Sequence, residues 1–177
     1  MKTRNKVLAT VIAGLLGSSV MAATDGTRGS TSTGNVNLNL EVLDSVEISA
    51  LNDIDFGQYG GTDTGDINAG DAYCVYVNGG DDYNITPTSA NGKFALVGDT
   101  TADEINYTVK LAGAATGANA AAAVSYNAAS ATFGGHAARN CGNADNASVD
   151  VSITEADVSA VSTDTYSDTL VLLVSPI

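Results

Sequence analysis

Between Thr33 and Val42 the chain alternates without a slip. Val36, Leu38, Leu40 and Val42 fall on one side, and Asn35, Asn37, Asn39 and Glu41 on the other. A period of two predicts a β-strand with one buried face. The same period returns down the chain. SVEISA (45–50) places Val46 and Ile48 together, and in LNDIDFGQYGG Ile54 and Phe56 are the expected buried pair before a glycine turn. Residues 60–71 read as loop by composition. DAYCVYVN (71–78) is apolar on both faces and predicts a central strand. In DYNITPTS, Tyr83, Ile85 and Pro87 alternate with Asn84, Thr86 and Thr88, and the proline predicts a strand that ends early or lies at an edge.

KFALV predicts a short strand after the turn at Asn91–Gly92. EINYTVKLA (104–112) predicts one strand through Ile105, Tyr107, Val109 and Leu111. Residues 112–135 are rich in alanine and glycine and read as a long loop, with VSYN and ATF as short strands. A helix around Asn119–Ala123 is weighed against the flanking glycine and asparagine, which disfavour it. ASVDVSITE (147–155) alternates through Ala147, Val149, Val151 and Ile153. The chain closes on TYSDTLVLLVSPI, with Leu170, Leu172 and Val174 on one face and Val171 and Leu173 on the other. No convincing amphipathic helix is expected. Seven or more short strands separated by turn signals predict an all-β fold, an antiparallel immunoglobulin-like β-sandwich. Nothing in the sequence covers the flank of the last strand, and an exposed apolar edge is a template for pairing. The chain therefore has a spare strand at the front and an unprotected one at the back.

The first residues are read separately. MKTRNK is basic, Val7–Leu16 is apolar, and GSSVMA supplies small residues at Val20 and Ala22. This is the pattern of a secretory signal peptide, too short to span a bilayer, with cleavage expected after Ala22. The expected organisation is a signal peptide (1–22), a flexible leader and spare strand (23–43), and a sandwich domain (44–177). Beyond residue 22 only Arg28, Lys93, Lys110 and Arg139 oppose 20 acidic residues. Such a surface repels nucleic acid and suits an exported protein.

The 2 cysteines, Cys74 and Cys141, are expected to form one disulfide in an exported chain. With 1 histidine (His136, in GGHAARN) and no GxSxG elbow, Ser/His/Asp catalysis and a histidine-dependent metal site are not expected. Acidic residues gather at Asp53, Asp55, Asp63, Asp66, Asp71, Asp81 and Asp82, but without EF-hand or GGxGxD spacing they read as solvated turns. With no tryptophan and 3 phenylalanines, a glycosidase cleft is not expected. Tyr73, Tyr76, Tyr83 and Tyr107 lie on predicted strands and read as core rather than a sugar platform. Asn84, Asn106 and Asn146 stand in glycosylation sequons. No enzyme, cofactor or metal is expected.

TGNVNLNLEV, IDFGQY and the closing YSDTLVLLVSP, in that order, resemble the spore coat protein U-type pilins of the archaic chaperone–usher pathway. The closing motif is the most specific of the three. Many members carry a cysteine near what is here Asp44–Val46; this chain has none, which leaves Cys141 to pair with Cys74. The resemblance implies an incomplete sandwich, a structural pilus subunit exported through the periplasm to the cell surface, and a role in adhesion and biofilm formation. It implies donor-strand exchange: Val36, Leu38, Leu40 and Val42 as donor residues, and Leu170, Leu172 and Val174 beside the acceptor groove. The implied partners are copies of itself or related pilins joined head to tail, a periplasmic chaperone and an outer-membrane usher. The alternative reading is a self-contained secreted sandwich that binds a glycan or calcium.

Overall fold

The computed structural model describes residues 23–60, 62–115 and 122–177. The expected signal peptide (1–22) and residues 119–121 of the weighed helix lie outside the described residues. The chain divides into two compact units, Met1–Val42 and Leu43–Ile177.

In the first unit, Thr24 and Asn35 exchange main-chain hydrogen bonds at 3.0 and 2.9 Å. Residues 36–42 are in no strand, although their alternation predicts one. A strand exists only as a member of a ladder, and residues 36–42 have no ladder partner among the described residues.

The second unit is almost entirely antiparallel β. Its strands are β1 (Val46–Ser49), β2 (Ile67–Val77), β3 (Asp82–Ser89), β4 (Ala95–Gly98), β5 (Glu104–Asn106), β6 (Thr108–Ala112), β7 (Ala122–Ala123), β8 (Phe133–Gly134), β9 (Ala147–Ile153), β10 (Tyr166–Ser167) and β11 (Leu170–Pro176). A five-stranded sheet runs β1-β2-β9-β6-β7. Two three-stranded sheets, β10-β4-β5 and β11-β3-β8, complete the sandwich. The odd-numbered positions of β2, β6 and β9 face inward, so Tyr73, Val75, Val77, Val109, Leu111, Val149, Val151 and Ile153 form the core with Tyr83, Ile85 and Ile105. Cys74 and Cys141 are joined, with their Cα atoms 5.8 Å apart, which ties β2 to the turn before β9.

Several expected elements differ in detail. β2 begins at Ile67, inside the stretch read as loop, because Gly70 leaves room for the Asp150 carboxylate on the neighbouring strand. β3 runs past Pro87 to Ser89. The bonds from Ala90 N–H to Thr169 O and from Ile177 N–H to Asp82 O set the parity, so that even-numbered β3 residues bond β11. The missing N–H of Pro87 therefore points to the other side. There Asn127 and Ser130, from the alanine-rich segment, bond Pro87 O and Ile85 in place of a regular ladder. EINYTVKLA is two strands: the inward alternation continues, but the hydrogen-bonding partner changes from β4 to β9 at Tyr107. VSYN is not a strand, and from ATF only Phe133 joins β8. Residues after Ile153 leave the sheet for a one-turn helix α1 (Glu155–Ser159), capped by Thr154, whose hydroxyl oxygen accepts the Asp157 N–H at 3.2 Å. His136 is half-buried, because its main chain bonds Val75 and Val77 of β2.

Candidate binding groove

The sandwich is not closed along β11. This strand pairs with β3 on one side, and among the described residues no strand is hydrogen-bonded to its other side. Since the odd-numbered β11 residues bond β3, the N–H and C=O groups of Leu170, Leu172 and Val174 point to the open side. The next open-side position, Pro176, has no N–H to give. Leu170, Leu172 and Val174 pack against the core but are only half-buried, whereas Ile85 of the adjoining strand is 0% exposed.

Across from the start of β11 runs the segment Leu51–Gly60, which follows a left-handed Ala50 (φ 64°) and belongs to no strand. It is anchored by Asn52: its N–H and its Nδ2 donate to the two carboxylate oxygens of Asp71 at 2.7 and 3.1 Å. Ile54 and Phe56 are half-buried and face an open groove of about 1050 Å³. Leu170 and Leu172 line the opposite wall. The floor is the sandwich core itself (Ile105, Tyr107, Val149, Val151, Ile153), and Val158 and Val161 stand at its end. Val174, expected beside the groove, is not among the lining residues. Ile54 and Phe56, expected as a buried pair, are half-buried against the core and also line the groove.

Two carboxylates hold the β10–β11 rim. Asp168 accepts the Ser89 hydroxyl at 2.5 Å, the Tyr107 hydroxyl at 2.7 Å and the Thr169 N–H at 2.7 Å. Asp164 accepts the N–H groups of Thr101 and Thr100, each at 2.8 Å, and these bonds hold its carboxyl well below the usual carboxylate range. Burial, with the Asp168 contact second, pushes the Tyr107 phenol above its ordinary value. Neither carboxylate stood out in the sequence reading, although Asp168 lies inside YSDTL.

The remaining sequence-derived candidates fall elsewhere. Val36, Leu38, Leu40 and Val42 are 74%, 90%, 89% and 72% exposed. Tyr73, Tyr83 and Tyr107 are buried and Tyr76 is half-buried, so no tyrosine platform forms. Asn146 of the third sequon spends its amide on the main chain of Val75, accepting at 2.8 Å and donating at 3.1 Å. Among the described residues no three His, Cys, Asp or Glu side chains gather closely enough to hold a metal ion. Among the same residues no helix is long and apolar enough to cross a membrane. The groove offers an apolar floor and a strip of unpaired main-chain donors and acceptors. That is what an added β-strand requires, since main-chain bonds supply affinity and pockets for alternate side chains supply register.

No family model and no curated protein matches the chain. One chain of a solved structure, described as "Chaperone-tip adhesin complex is vital for synergistic activation of CFA/I fimbriae biogenesis", is similar in fold. The TM-score is 0.51 at 13% identity, over 75% of this chain and 42% of that one. The chain thus spans less than half the length of its solved counterpart, and what the two share is the β architecture.

Proposed function

We propose that this protein is a structural subunit of a surface fimbria, of the spore coat protein U pilin type, which polymerises by donating one strand to the next copy. The observation that carries the reading is the open groove: one wall is an unpaired strand edge, and its floor is the sandwich core. The occupant is the Val36–Val42 segment of a second copy. Its alternating apolar residues are exposed, and it matches Leu170–Pro176 in residue count. Four aliphatic side chains transferred into such a groove gain roughly 6–12 kcal/mol before the entropy of ordering. A head-to-tail contact of this kind builds a filament where the rotation does not close.

The fold likeness to a chain of a chaperone–adhesin complex supports the companion roles. In this reading a periplasmic chaperone fills the groove during export, and an outer-membrane usher exchanges it for the next subunit. The filament then serves adhesion and biofilm formation outside the cell, and no catalysis is asked of the subunit. The test is to shear the protein from cells and run it on a denaturing gel with and without heating. A ladder that collapses to monomer on heating supports donation between chains. A single monomer band in both lanes overturns it, in favour of a self-contained secreted sandwich that binds a glycan or calcium.

A further inference from the structure

A subunit that carries both a donor segment and an acceptor groove faces a competition. A tethered segment experiences an effective concentration in roughly the millimolar range wherever its linker can reach the site. Self-insertion would therefore outcompete donation to another copy, and end polymerisation, unless the geometry of the tether forbids it.

The tether is Leu43–Ser45, and its path is set by one side chain. Ser45 continues the β1–β2 ladder by one pair: the Asn78 N–H donates to Ser45 O at 3.0 Å. After Asn78 the main chain of β2 turns away, with Gly79 at φ 82°. The Asn78 side-chain amide then takes the place of the missing peptide group. Its Oδ1 accepts the Ser45 N–H at 2.7 Å, and its Nδ2 donates to Leu43 O at 3.1 Å. These three bonds hold Leu43–Ser45 in line with β1. Val46 pairs with Val77 and Pro176 with Tyr83, and only a short turn joins Val77 to Asp82. The start of β1 and the end of β11 therefore lie at the same end of the sandwich. To enter its own groove, the donor segment would have to reverse direction within Leu43–Ser45, which breaks the Asn78 bonds.

We infer that Asn78 is a directional clamp: its amide keeps the tether extended, so that Val36–Val42 is available to a second copy and not to its own groove. This inference rests on the donor-strand reading above. It assigns no catalytic or ligand-binding role to Asn78. It predicts a change in who receives the strand, not in whether the groove can receive one.

The experiment compares the full-length secreted chain with Asn78→Ala, each refolded without chaperone and resolved by size exclusion and by gels with and without heating. The wild-type chain is expected to form heat-sensitive polymers. Asn78→Ala is expected to raise the monomer-to-polymer ratio by at least about tenfold, the order expected when two hydrogen bonds no longer oppose reversal. That monomer should melt higher than the same variant carrying Leu38→Asp, since only an inserted strand is sensitive to that change. An unchanged monomer-to-polymer ratio in Asn78→Ala, beside polymerising wild-type protein, overturns the clamp and leaves strand donation standing. A wild-type chain that makes no heat-sensitive polymer overturns donation itself, and the clamp with it. If Asn78→Ala does not form the Cys74–Cys141 disulfide, Asn78→Asp decides. It keeps an acceptor for Ser45 but no donor for Leu43, so a rise of about fivefold is expected for the one lost bond, and an unchanged ratio overturns the clamp.

Discussion

The Tyr107 hydroxyl donates to the Asp168 carboxylate at 2.7 Å. Tyr107 is the residue at which the chain passes from the β4–β5 sheet to the five-stranded sheet, and Asp168 lies just before the open strand β11. The same carboxylate also accepts the Ser89 hydroxyl at the end of β3. One side chain thus links both layers of the sandwich at the mouth of the groove. Replacing Asp168 with alanine leaves a buried tyrosine hydroxyl without this acceptor. The expected cost is about 2–4 kcal/mol, which thermal melting of the monomer would report as a drop of roughly 10 °C. Tyr107→Phe, which leaves Asp168 its other donors, should cost only about 1 kcal/mol. Equal, small effects from both would mean that the contact does not organise the rim.

Leu38→Asp should abolish polymers while the monomer keeps its disulfide and its β-sheet circular dichroism. Asn39→Asp, on the opposite face of the same segment, should polymerise normally. Fibres from the Leu38→Asp protein would contradict the donor assignment.

Cys74→Ser opens a link of sequence separation 67. On the chain-entropy model the loss is roughly 4 kcal/mol, enough to reduce the yield of folded protein as well as its melting temperature. A variant of unchanged yield and melting temperature would show that the bond contributes little to stability.

Asp150 supplies the pH dependence. It is 5% exposed on β9, its Oδ2 has no hydrogen-bond partner among the described residues, and burial raises its carboxyl above the usual value despite the opposing pull of Lys110. The unfolded chain gives up this proton at a lower pH than the folded one. The folded state therefore holds more protons in the window just above the ordinary carboxylate value of about 4, and this group's contribution to stability falls as pH rises through it. Asp150→Asn should therefore melt higher than the parent at neutral pH, with the difference closing on acidification below about pH 4. A variant less stable at neutral pH would reverse the sign and mean that the ionised carboxylate has a partner.

Much of the sandwich is legible in the sequence because period-two alternation reports a face directly. Val149, Val151 and Ile153 point inward as their spacing predicts, and Tyr73 and Tyr83 are buried on the strands β2 and β3 that carry them. The switch at Tyr107 is not legible, because alternation reports which way a side chain points and not which strand its main chain bonds. The early start of β2 is hidden for a different reason. Gly70 reads as a loop residue, yet in the sheet it is the one residue without a Cβ to strike the Asp150 carboxylate and the Val149 carbonyl. The groove is half legible: Leu170 and Leu172 can be read from the closing motif, but the far wall of Ile54 and Phe56 depends on the Asn52–Asp71 anchor, a pairing across loop and strand that no local pattern encodes. The Asn78 clamp is illegible for the same reason, since a lone asparagine before two glycines signals only a turn.

The central claim is that Val36–Val42 of one copy occupies the groove beside β11 of another. It is tested most directly by placing a photoreactive residue at Leu172 in an isotope-labelled chain. That chain is assembled with unlabelled wild-type chain, irradiated, and the cross-linked peptides are mapped by mass spectrometry. The account predicts labelled groove peptides joined to unlabelled peptides that contain residues 36–42. Cross-links to residues 36–42 that are labelled only, or to a different segment altogether, would contradict it.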